Sequence, residues 1–100
     1  MRVVERITGT AGRYVLAGTV SCDDLGRYIA HANTYLLRTG VLSRPLRSVA
    51  TAQASGPGIE ASGVSASEAR TRLCVEAMER LGTAVTSFVW RPVLVLVEAE

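Results

Sequence analysis

The chain has no lysine. Its eleven basic residues are all arginine and stand against nine acids, for a formal net charge of +2. Arginine grips planar oxyanions with a two-pronged donor fork that lysine lacks. The bias therefore reflects either the base composition of the coding sequence or recognition of phosphate or carboxylate. Cysteine is scarce too: Cys22 and Cys74 form no CxxC pair, and one histidine cannot complete a zinc set with them at the usual spacings. No metal is expected. Two isolated thiols suit a reducing compartment. Long hydrophobic runs are missing. The longest is Val93–Val97, whereas a membrane helix needs about 20 apolar residues. Charges at positions 2, 5 and 6 leave no apolar secretory region at the start. The expectation is a cytoplasmic protein with no membrane partner. A glycine-rich phosphate loop and a spaced catalytic acid pair are also lacking, so no cofactor is expected.

What is present suits a folded domain. The 100 residues are 48% hydrophobic, enough for one core that buries roughly 60–65% of the unfolded surface. A single domain over 1–100 is expected. "MRVVERIT" and "RYVLAGTV" (13–20) read as the strands of a hairpin around "GTAG" (9–12). Tyr14, Leu16 and Val20 share one face of the second strand.

Ser21 and Asp24 then have the spacing of a helix-capping pair, with Val20 and Leu25 as a hydrophobic staple. The spacing of Leu25, Tyr28, Ile29, Ala32 and Leu36 predicts a helix to about Thr39, stopped by Gly40. After a connector at 43–47, Ser48–Ala54 and Ile59–Val64 read as strands around "SGPG". Ser65 and Glu68 repeat the capping pair, with Val64 and Ala69 as its staple. Ala69, Leu73, Ala77 and Leu81 form the buried stripe of a second helix that ends at Gly82. Glu68, Arg72, Glu76 and Arg80 make an ion-pair ladder along it. The stretch 84–98 reads as a strand that Pro92 interrupts.

The fold class expected is therefore α+β. It is a two-layer ββαββαβ sandwich with two helices on one face of an antiparallel sheet. A ββα unit at 1–42, another at 46–82 and a last strand at 84–98 are its parts. An offset of 44 residues superimposes Val20-Ser21 on Val64-Ser65 and Asp24 on Glu68. That repeat is either a duplication or two units obeying the same capping rules. Phe88, Trp90, Leu94 and Leu96 share one face of the last strand. On an uncovered sheet face they would form an apolar interface, so a homo-oligomer, most simply a dimer, is expected.

Residues 63–81 resemble the end of a double-stranded-RNA-binding domain through Gly63, Ser65, Ala69, Arg70, Ala77 and Leu81. Ala66 and Ser67 stand where that family places two phosphate-clamping lysines. The resemblance implies an RNA partner held weakly, since phosphate contacts carry most of such affinity. The same segment is similar to HicB-type antitoxins through Glu68-Ala69 and Glu76-Ala77. It also resembles a stretch of the YcaO cyclodehydratases through Glu76 and Glu79-Arg80, with Arg72 in place of a serine. Three unrelated families in some twenty residues single out none of them.

One constellation could carry chemistry. On the first expected helix, Asp24, Arg27, His31, Thr34 and Arg38 follow each other at three- and four-residue spacing, beside Tyr28 and Tyr35. His31 is the candidate catalytic proton carrier. Arg27, Tyr28, His31, Tyr35 and Arg38 are the candidate ligand-binding set. The plainer reading is a solvated helix flank. The leading expectation is a small non-enzymatic binding or regulatory module, acting as a homo-oligomer on a protein or RNA partner. The alternative is a small enzyme or anion-binding protein that uses the His31, Arg27 and Arg38 face.

Overall fold

A computed structural model describes residues 1–36, 56 and 58–93. The elements run β1 (Arg2–Ala11), β2 (Tyr14–Cys22), β3 (Tyr28–Leu36), β4 (Ile59–Gly63), α1 (Ala66–Leu81) and β5 (Val85–Pro92). The strands form one sheet in the order β4-β3-β2-β1-β5, every neighbouring pair antiparallel. The two edge strands therefore run parallel to each other, and α1 carries the chain from one edge to the other.

This corrects the ββαββαβ expectation. The described residues contain five antiparallel strands and one helix, not two helices on one face. Where a first helix was expected, Asp23 folds the chain into a turn. Its Oδ1 accepts the backbone N–H of Leu25 and of Arg27, each at 2.9 Å, and its own N–H donates to the Arg27 carbonyl at 2.9 Å. Such Asp-centred bonds compete directly with helix formation. Gly26 takes φ +83°, a conformation open to glycine and costly for other residues. The turn closes with Cys22 opposite Tyr28. Beyond it, Tyr28, Ala30, Ala32 and Thr34 alternate with Ile29, His31, Asn33 and Tyr35 as a strand requires. Leu25 is 81% exposed, so no staple with Val20 exists.

The proposed repeat fails with that helix. Ser21 is a buried strand residue and Ser65 a helix cap, although their local sequences match. The strand expected at Ser48–Ala54, the connector at 43–47 and the expected helix end at 37–40 lie outside the described residues, as do positions 94–98 of the last strand.

The second helix forms from its own sequence signals. Ser65 Oγ accepts the Glu68 N–H at 3.1 Å, while Glu68 Oε1 accepts the Val64 N–H at 2.8 Å. Gly82 closes the other end by donating to the Met78 carbonyl at 2.9 Å. Ala69, Leu73 and Ala77 are fully buried against the sheet. They meet Ile7 of β1, Leu16 and Val20 of β2, Ala30 and Ala32 of β3 and Ile59 of β4. Alanines on both layers let the helix lie close over β3 and β4. Val64 is 80% exposed, so the staple onto Ala69 does not form. The ladder is two separate pairs, Arg72–Glu68 and Arg80–Glu76, each at 3.5 Å.

Candidate functional site

The expected helix-face site is taken apart by the strand. Tyr28 and His31 fall on opposite faces of β3, because they are three residues apart in a two-residue repeat. Tyr28 packs against the core on the helix side. His31 is exposed on the outer face, with Tyr35 half-buried on the same side. Arg27 belongs to the turn, where its Nε pairs with Asp23 Oδ2 at 3.1 Å. Arg38 lies outside the described residues. A surface depression beside β4 is lined by Arg27, Ile29, Glu60, Ala61 and Ser62, without His31 or either tyrosine.

The interface residues of β5 sit differently from expectation. Phe88 and Trp90 point to the helix side of the sheet, not to an uncovered face. Phe88 packs on the core. The Trp90 ring carries the Arg70 guanidinium, whose Cζ lies 4.2 Å from its centroid. The same guanidinium is bound by Glu5 of β1. Trp90 nevertheless remains 46% exposed, and Val89 on the opposite face 50%. Leu94 and Leu96 lie outside the described residues.

The two edges of the sheet are unlike. On β4, only five residues long, Arg72 Nη1 donates to the Ser62 carbonyl at 3.1 Å and so occupies a backbone acceptor of the edge strand. β5 has eight residues and no charge from Val85 to Trp90. The Val93 N–H donates inward to the Val4 carbonyl at 2.8 Å. Strand N–H groups alternate sides, so residues 91, 89 and 87 also donate inward, while Phe88 and Trp90 present theirs to the outer edge. Pro92 falls at the next outward position, where a missing N–H breaks no ladder bond. Among the described residues, nothing pairs with this edge.

The outer face of the sheet carries polar residues along its middle, with Val15, Ile29, Tyr35 and Val89 to either side. One line of cross-strand partners runs Glu60, His31, Thr19, Arg6, Arg91 from β4 to β5. Glu5 and Ile7 face the helix, so Arg6 between them faces outward. Arg91, beside Trp90, does the same. The register that joins β1 to β5 links residues some 80 positions apart, a pairing no local signal in the sequence discloses. The adjacency of Arg6 and Arg91 was therefore invisible there.

Two titrating groups stand out. The Arg27 backbone N–H, foremost, holds the Asp23 carboxyl below its ordinary value, assisted by the Leu25 N–H and the Arg27 guanidinium and opposed by burial. Burial raises the Cys74 thiol, which favours its protonated form. Cys22 and Cys74 are both free thiols. Among the described residues, no group of three or more His, Cys, Asp or Glu side chains could hold a metal ion. No helix among them is long and apolar enough to cross a membrane.

No protein-family model, curated protein or solved structure matches the chain.

Proposed function

We propose that the chain is a small non-enzymatic binding module that acts as a homo-oligomer, joined through the outer edge of β5. The observation behind this reading is the contrast between the edges. β4 is short and capped by Arg72, whereas β5 is long, uncharged over six residues and, among the described residues, unpaired along its outer edge. An edge of that kind is a template for another strand unless it is covered or charged. The commonest assembly that uses one patch twice is a two-fold dimer, here an antiparallel pairing of β5 with its copy. Trp90 and Val89, each about half exposed, would bury further apolar surface on the two faces of the joint.

Edge pairing leaves the exposed part of the outer sheet face, with Arg6, His31 and Arg91, free. The partner, a protein or an RNA, would meet the module there. An enzyme built on His31 finds little support, since His31 is exposed and stands apart from Arg27 and Tyr28. Amide exchange tests the joint. The Phe88 and Trp90 N–H groups should be protected at high protein concentration and lose protection on dilution. Fast exchange of both at every concentration would exclude pairing through this edge.

A further inference from the structure

We propose that Arg6 and Arg91 together bind a phosphate group on the outer face of the sheet. The two are direct cross-strand partners on β1 and β5. The inward Val93-to-Val4 bond puts them in a hydrogen-bonded pair, with Cα atoms about 5.5 Å apart. Like charges placed directly opposite destabilise a sheet. Both side chains are exposed, and neither forms an ion pair among the described residues.

Four of the six other described arginines have an acid of their own, and Arg2 and Arg13 do not. Arg27, Arg70, Arg72 and Arg80 each hold an acid within ion-pair distance. Around Arg6 and Arg91 no acid among the described residues stands close on the same face. β2 and β5 contain none, and the one acid of β1, Glu5, faces the helix and is held by Arg70. Glu60 is the nearest acid in the cross-strand line, three strands from Arg6, or about 14 Å at the usual strand spacing. Thr19 lies directly across from Arg6 on β2 and Thr8 follows it on β1. Two forks, which have no acceptor, and two neighbouring hydroxyls that can donate surround the position where a dianion would sit. Arginine pairs of this kind hold phosphate with parallel N–H···O bonds. The site stands whether or not β5 pairs with a copy.

The test uses the whole chain at low salt, with inorganic phosphate as the probe and backbone amide shifts as the readout. Saturable shifts are expected at Arg6, Arg91 and Thr19. Arg6→Gln and Arg91→Gln should each weaken binding at least tenfold. Arg13→Gln, which removes an exposed turn arginine with no ion pair among the described residues, should leave it within twofold. A short single-stranded RNA forms the second arm. Loss of RNA binding in the same two variants identifies a phosphodiester backbone as the source of the phosphate. Phosphate binding without RNA binding identifies a small phosphorylated ligand. Absence of saturable shifts, or equal weakening by Arg13→Gln, would overturn the proposal.

Discussion

Arg70 of the helix donates from Nη1 to both carboxylate oxygens of Glu5 on β1, at 2.5 and 2.6 Å. Both side chains are about 85% buried, being 14% and 15% exposed. The guanidinium also lies over Trp90 of β5. One side chain thus fastens α1 to the side of the sheet farther from β3 and β4, where the helix packs most of its apolar face. Arg70→Ala should cost about 1–3 kcal/mol, because it strands a largely buried carboxylate. Trp90 is the only tryptophan. Its emission should shift to the red in the same variant, and urea melts read by that signal check both effects.

At Gly18 the backbone of β3 lies directly against β2. A Cβ there would run into the His31 backbone carbonyl and the Ala32 Cα. These are main-chain atoms that cannot rotate away. Gly18→Ala should destabilise by about 3 kcal/mol or leave the chain unfolded. Circular dichroism and a denaturant melt distinguish these from a tolerated change.

The β2–β3 turn should be sensitive to acid. The folded Asp23 carboxyl titrates below its ordinary value of 3.8. Its contribution is therefore fully present above that value and is lost as pH falls through the lower, folded one. Acid titration should release the Leu25 and Arg27 amides together. Asp23→Asn keeps an acceptor oxygen but does not ionise, and it should flatten that pH dependence.

The Arg6–Arg91 pair should act against stability when no anion is bound. Arg91→Gln is expected to stabilise the free protein by about 0.2–1 kcal/mol at low salt, with the gain shrinking as salt screens the repulsion. Melts at two ionic strengths check it. A loss of stability would mean that Arg91 makes a favourable contact in the folded state.

The second half of the fold could be read in the sequence where its signals were local. Ser65, Glu68 and Gly82 mark a helix by bonds that span only a few residues. The first hairpin was legible for the same reason, apart from a turn shortened to Gly12-Arg13 between Ala11 and Tyr14. β3 was not. Leu25, Tyr28, Ile29, Ala32 and Leu36 fit a helical stripe, and Tyr28, Ala30, Ala32 and Thr34 fit a strand equally well. What decides between them is Asp23 with Gly26, whose turn chemistry outweighs the periodicity. A glycine five residues into an expected helix was the available signal. With that helix gone, the candidate set around His31 separated, since residues gathered by a 3.6-residue repeat scatter under a repeat of two. The juxtapositions that matter most, Arg70 with Trp90 and Arg6 with Arg91, are set by long-range pairing.

The mass of the protein in solution is the most direct test of a module joined through β5. One chain weighs 10.6 kDa. Light scattering on the intact protein should give twice that value. Val89→Lys, which sets a charge beside its own copy across a two-fold joint, should return the mass to that of one chain. A wild-type mass of one chain at every concentration, or a dimer indifferent to Val89→Lys, would contradict the account.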